Sequence, residues 1–260
     1  MKKRILTALL IVPPILAIIE FAPILIIKII SFAAGLIAID EFHGLIKKTD
    51  KVYWIYSIFA FSLVFWLAAE RVGLFGPAIL VTFVMLLSIP LLTKNDLEYD
   101  FTHVAGSWLA ITYVSLYSFF YIMIRLQKGR EILIAILFMV WITDSIAMLA
   151  GKIIGKRKLS PVISPHKTVE GFLAGMAAAM ISAFAIEKVF GLFNFADAVA
   201  IGLIVGIAGQ AGDLIESTFK RYAGKKDSGK ILPGHGGVLD RLDSLAVSVA
   251  LSYLYITLVS

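Results

Sequence analysis

The chain has 260 residues, 60% of them hydrophobic and only 16% charged, with a mean hydropathy of +0.92. A water-soluble domain of this length is far more polar, so lipid must cover the surplus apolar surface. Cysteine is absent, which excludes disulfides, thiolate metal sites and a thiol nucleophile, and the formal net charge of +6 matters through its placement more than its sum.

A bilayer span needs about 20 apolar residues. In chain order the sequence predicts nine, near 5–20, 23–42, 53–69, 73–93, 104–124, 132–151, 168–187, 196–216 and 241–259, giving an all-α, polytopic membrane protein. Lys2-Lys3-Arg4 ahead of an apolar run resembles a secretory signal. No convincing small-x-small cleavage pattern follows, so this segment is expected to remain as a span, kinked at Pro13-Pro14.

Nine spans sort the basic residues. Lys2 to Arg4, Lys47, Lys48, Lys51, Lys94, the cluster from Lys152 to Lys167 and the cluster from Lys220 to Arg241 fall on one side. Arg71, Arg125, Lys128, Arg130 and Lys188 fall on the other. The positive-inside rule then places the N-terminus in the cytoplasm of a cell (inner) membrane protein and the C-terminus outside. The two longest and most basic connections, 152–167 and 217–240, are both cytoplasmic in this arrangement. The expected organisation is an N-terminal set of spans over 1–130 and a catalytic unit over 131–260. Gly151-x-x-x-Gly155, Gly171-x-x-x-Gly175 and Gly202-x-x-x-Gly206 give that unit faces on which helices can approach closely.

The ionisable residues that need explaining come after residue 140. A carboxylate at the centre of a span costs about 2.5–3.5 kcal/mol, yet Asp144, Asp213 and Glu216 sit in or at the end of apolar segments, and Asp240 and Asp243 open the last one. Asp213 and Glu216 are three apart, as are Asp240 and Asp243, so each pair shares a helical face. A single acid at a span end is more often a solvated cap, and Asp40-Glu41 is read that way, as interfacial. Five acids beside Lys and Arg are the parts of a Mg²⁺–phosphate site. Between them run Ser217-Thr218-Phe219-Lys220-Arg221, Lys226-Asp227 and Pro233-Gly234-His235-Gly236-Gly237, then Asp240-Arg241. Glycines let backbone N–H groups approach an anion, and the loop ends at a helix N-terminus, which favours negative charge. In the earlier loop, Ser164-Pro165-His166-Lys167-Thr168 brings His166 and Lys167 to the same side, while Thr168 serves equally well as a helix cap.

The run from Ser217 to Asp243, Ser-x-Phe-Lys-Arg-x₄-Lys-Asp-x-Gly-x₂-Leu-Pro-x-His-Gly-Gly-Val-x-Asp-Arg-Leu-Asp, resembles the signature of CDP-diacylglycerol synthases, also called phosphatidate cytidylyltransferases. It fixes spacing over 27 positions. The stretch Ser164 to Gly171 and Asp144 ahead of a Gly-x-x-x-Gly are similar to further parts of that family, with His166 where Lys is more usual. The first half resembles the family only in being hydrophobic. The resemblance implies that CTP and phosphatidate give CDP-diacylglycerol and pyrophosphate, with Mg²⁺ and room for a second, monovalent cation. It implies metal binding by Asp213 and Asp240, joined by Asp144 and Asp243. It implies phosphate or substrate contacts by Ser164, Lys167, Ser217, Lys220, Arg221, Lys226, His235, Gly236, Gly237 and Arg241, with Asp213, Asp240, Lys226 and His235 central to catalysis. A homodimer in the bilayer is expected, and no nucleic acid partner. Two other readings share these parts: a CTP-dependent kinase of a lipid alcohol, which would release CDP, and an ion-coupled transporter, which would not need the Gly-rich basic loop.

Overall fold

The computed structural model describes residues 2–46, 50–93, 96–231 and 236–259, with side chains of the first helix described from Val12. Among these residues eleven α-helices follow one another: α1 (Lys2–Phe21), α2 (Ile24–Leu45), α3 (Lys51–Glu70), α4 (Phe75–Ser88), α5 (Leu97–Ser115), α6 (Ser118–Met123), α7 (Gly129–Ile153), α8 (Val169–Phe190), α9 (Phe195–Leu203), α10 (Gln210–Tyr222) and α11 (Leu239–Leu258). The fold is all-α and built for a membrane. Among the described residues seven helical stretches are long and apolar enough to cross one: 51–70, 72–91, 97–123, 129–153, 169–190, 195–222 and 239–258.

The expected count of nine is not reached on that criterion, for two physical reasons. The described apolar part of α1 is only Val12–Phe21. Helix α2 carries Lys28, Asp40 and Glu41, too many charges for an unbroken apolar span. Lys28 is nonetheless buried: its ammonium meets Glu70 at 2.9 Å and lies 4.2 Å from the Trp66 ring centroid. The outward faces are apolar, with Leu80, Val84 and Ile181 more than half exposed on the bare chain, as lipid contact requires.

Two segments depart from the expected loops. The connection 152–167 forms an antiparallel hairpin of β1 (Lys158–Ser160) and β2 (Ser164–Thr168). Glu170 holds its base by accepting from the Lys156 and Arg157 N–H groups. Thr168 then caps α8 by accepting from Gly171 N–H at 3.1 Å. The eighth expected span, 196–216, runs instead from Phe195 to Tyr222. The extra turn is helical because its polar residues have partners on one face: Glu216 and Lys220 pair at i,i+4, and Ser217 and Lys220 are buried. Ser217, Lys220 and Arg221 therefore sit on a helix and not in the connection 217–240.

This long helix is interrupted by a π-helical segment, Ile204–Gly209. Such a bulge offsets the register of everything after it and leaves carbonyls to be satisfied elsewhere. Gln210 does so, donating to the Gly206 carbonyl at 2.6 Å and across to Phe172 of α8 at 3.1 Å. Gly206 has no room for a side chain, since a Cβ there would stand 3.0 Å from the Met176 Cα. Helices α7 and α8 pack along each other, α8 packs on α9, and α11 lies against α10, α7, α6 and the π segment. The catalytic candidates thus ride on helices locked at close backbone distance.

Candidate active site

The site forms where α10 and α11 face each other. Oxygens of Asp213, Glu216 and Asp243 all lie within 4.8 Å of one another. Asp213 is half-buried and ion-paired with Lys167 of β2. Ser217, one turn on, donates to Asp213 Oδ1 at 3.4 Å. Glu216 is fully buried; Lys220 pairs with its Oε2, and beyond that ion pair its carboxylate oxygens have no hydrogen-bond partner among the described residues. Asp243 accepts from the Ser244 N–H at 2.7 Å. The Tyr113 hydroxyl reaches the Gly212 and Asp243 carbonyls at 3.4 Å each, bridging the two helices. A Cβ on Gly212 would come within 2.7 Å of the Asp243 carbonyl, so this residue sets the helix separation.

Asp240 stands apart from that trio. Its Oδ1 accepts from Lys220 Nζ at 2.7 Å. Its Oδ2 accepts from Gly237 N–H at 2.8 Å and from Ser228 N–H and Oγ at 2.9 Å each. Lys220 therefore bridges Asp240 and Glu216. Gly236, at φ +81°, makes the left-handed turn that lets Gly237 reach this carboxylate. The amides expected to face a phosphate at the start of α11 are filled by the chain's own acids: Asp240 takes Gly237, and Glu41 of α2 takes Val238 N–H at 3.0 Å and Leu239 N–H at 2.8 Å.

The remaining candidates line the same end of the bundle. Asp144 on α7 is within electrostatic range of Asp213, Lys167 and Arg241, but outside the 4.8 Å trio. Arg221 donates from Nε to the Ile163 carbonyl at 3.0 Å, tying the end of α10 to the hairpin turn, so the two basic connections meet. Ser164 opens β2, Lys226 is exposed between α10 and α11, and Arg241 is exposed in the first turn of α11. His235 lies outside the described residues.

Two acids, Glu216 and Glu41, have larger places here than sequence reasoning assigns them. Glu216 was visible as a membrane acid, and its spacing from Asp213 and Lys220 was the available signal. Glu41 has none: the sequence places it at the interface, whereas its partners Val238 and Leu239 are almost 200 positions away. Asp40 beside it is exposed and accepts from the Trp54 indole N–H at 3.1 Å.

In charge terms, Glu41, Asp213, Glu216, Asp240 and Asp243 converge, and among the described ion pairs Lys167 and Lys220 touch them directly. Buried like charges at this spacing are relieved by a proton or by a further cation, and the three carboxylates could offer a cation hard, anionic ligands. The donor set suits Mg²⁺: oxygen only, with no nitrogen or sulfur in the trio.

The chain matches the model of the cytidylyltransferase family over residues 2–259. It is 36% identical over 257 residues to the phosphatidate cytidylyltransferase of Staphylococcus saprophyticus and 38% identical over 257 residues to that of Staphylococcus aureus, each alignment covering 94% of both chains. The Staphylococcus haemolyticus phosphatidate cytidylyltransferase is 34% identical over 259 residues, again over 94% of each chain. A match along the full sequence, carried by a chain whose acids and bases gather at one end of a helical membrane bundle, has one outcome: this protein belongs to the cytidylyltransferase family.

Proposed function

We infer that the chain is a phosphatidate cytidylyltransferase, transferring the cytidylyl group of CTP to phosphatidate and releasing CDP-diacylglycerol and pyrophosphate in phospholipid biosynthesis. The full-length similarity to enzymes of that name supports the reaction. The observation that ties it to a place is the carboxylate trio Asp213, Glu216 and Asp243 with Lys167 at its edge.

The chemistry asks little of a general base. A phosphate oxygen of the lipid, already ionised near neutral pH, attacks the α-phosphorus of CTP; the bond to the bridging oxygen breaks and pyrophosphate leaves with the electron pair. Positioning and charge stabilisation do most of the work in such transfers. Asp213, Glu216 and Asp243 would hold Mg²⁺, with Asp144 nearby. Bound there, the ion would supply positive charge to the polyphosphate and the leaving group. The same excess of acid leaves a place for a second, monovalent cation. Lys167, Arg221, Lys226, Arg241 and His235 are the groups we assign to phosphates, with Ser164 and Ser217 as neutral donors. Lys220, already between two carboxylates, serves to hold Asp240 and Glu216 in place.

We place the site at the cytoplasmic face of the cell membrane, on the charge sorting of the connections, where CTP is at hand and the lipid headgroup lies at the same level. A homodimer is part of the same proposal. The test is product analysis in detergent: CTP and phosphatidate with Mg²⁺ should yield pyrophosphate and CDP-diacylglycerol. Release of CDP would instead make the chain a lipid kinase, and no CTP consumption would remove the enzymatic reading.

A further inference from the structure

Helix α2 belongs to the half of the chain whose sequence carries no chemistry, yet its last turns dock onto the site. Phe42 packs on Phe219 of α10 with ring centroids 4.8 Å apart. The Gly44 carbonyl accepts from Lys225 Nζ at 2.6 Å. Between them Glu41, 5% exposed, points at the segment that leads into α11.

The bonds made by Glu41 divide cleanly. Oε1 accepts from Val238 N–H at 3.0 Å. Oε2 accepts from Leu239 N–H at 2.8 Å and from the Ser228 hydroxyl at 3.2 Å. That hydroxyl also lies 2.9 Å from Asp240 Oδ2. Ser228 has one hydroxyl proton for two carboxylates, so Glu41 and Asp240 are held close through a shared donor while Lys220 balances the charge from the other side of Asp240. The glycines around this carboxylate are small because it is there: a Cβ on Gly229 would stand 2.8 Å from Glu41 Cδ.

We propose that Glu41 is a positioning residue for the transfer reaction. It fixes the first turn of α11 and the Ser228 turn against α10, and so sets where Asp240, and one turn later Asp243, present their oxygens. This rests on the reading that cytidylyl transfer takes place at the Asp213, Glu216 and Asp243 trio. Glu41 touches none of those three carboxylates in the recorded bonds; it acts through the backbone that carries one of them. Helix position at that level matters, since a misplacement of about 1 Å can cost about 10²-fold in rate.

The experiment is a double-mutant cycle on Glu41→Gln and Ser228→Ala in the full-length enzyme in detergent. Pyrophosphate release is measured at saturating CTP, phosphatidate and Mg²⁺, and kcat is expressed per folded protein by size-exclusion chromatography. Gln keeps the volume but must present its amide N–H₂ to a backbone N–H, so kcat should fall about 10–100-fold. KM for CTP should stay near the wild-type value, since no partner of Glu41 is an exposed cation. Ser228→Ala should lower kcat by itself and add little to the Glu41→Gln loss, because both act on one network. Normal kcat per folded protein in Glu41→Gln, or fully additive losses, would overturn the proposal. Should Glu41→Gln fail to accumulate, Ser228→Ala decides alone, and normal turnover in it overturns the proposal too. Wild-type enzyme without pyrophosphate release would instead sink the reading of the site, so the two failures are distinct.

Discussion

Glu216 offers the sharpest test of the trio. It is fully buried, and beyond its ion pair with Lys220 its oxygens have no hydrogen-bond partner among the described residues. In Glu216→Gln the shape survives and the charge does not. Lys220 keeps Asp240 at 2.7 Å, so one of its two carboxylates still compensates it. What is lost is an anionic oxygen facing Asp213 and Asp243. The Mg²⁺ concentration for half-maximal turnover should therefore rise by at least about 10–100-fold, the loss typical of removing even a group that only supports a metal ligand. Pyrophosphate release from phosphatidate-containing micelles, titrated with Mg²⁺ at fixed CTP, reads this directly. A variant with wild-type turnover and an unchanged Mg²⁺ requirement would show that Glu216 holds no metal and that the trio is a structural cluster.

Other substitutions separate the roles further. Asp213→Asn should abolish turnover with little change in the unfolding midpoint in detergent, because Asp213 and Lys167 are about one-third exposed and such pairs contribute about 0–1 kcal/mol; near-normal activity would remove Asp213 from the site. Asp240→Asn should lose activity and stability together, since its amide would face donors from Ser228 and Gly237, and a variant as stable as wild type would contradict the recorded bonds. Gly212→Ala should destabilise the α10–α11 contact by about 1–3 kcal/mol through overpacking against the Asp243 carbonyl, read as a lowered unfolding midpoint. Single cysteines placed at Lys158 and Lys226 in this Cys-free chain should react with an impermeant thiol reagent from the same side of sealed vesicles; labelling from opposite sides would break the single-site arrangement.

The helices were legible because lipid imposes long apolar runs, and the acids were legible because they interrupt those runs. The spacing of Asp213, Glu216 and Lys220 on one face was also readable, although the continuation of that helix to Tyr222 was not. A run of polar and basic residues reads as a loop until their partners are known; here the partners are Asp240 and the Ile163 carbonyl, from other elements. The hairpin at Lys158–Thr168 was hidden for a similar reason. Its short strands have no apolar alternation, and Glu170 bonding to the Lys156 and Arg157 amides holds its base. Gly236 and Gly237 were read as an anion cradle. The geometry they permit does serve an anion, but that anion is Asp240. Glu41 was out of reach of any local argument, because nothing near it in sequence reports what α11 brings.

The arrangement also explains why one lysine is buried among the acids. Carboxylates about 4.8 Å apart repel by about 3.5 kcal/mol at an effective dielectric constant of about 20. Two of the three pairs, Asp213–Asp243 and Glu216–Asp243, cross between the helices, and together they would push α10 and α11 apart by about 7 kcal/mol if all were charged and alone. Gly212 and Tyr113 nevertheless hold those helices at close range. Lys220 offsets the repulsion on the Glu216 side by joining it to Asp240, and Lys167 does so for Asp213 from the hairpin. Asp243 accepts instead from the Ser244 amide, with no lysine among its described ion pairs. Among the described ion pairs, then, Asp213 and Glu216 each have a lysine from one side, and Asp243 is the acid of the trio held by a backbone amide.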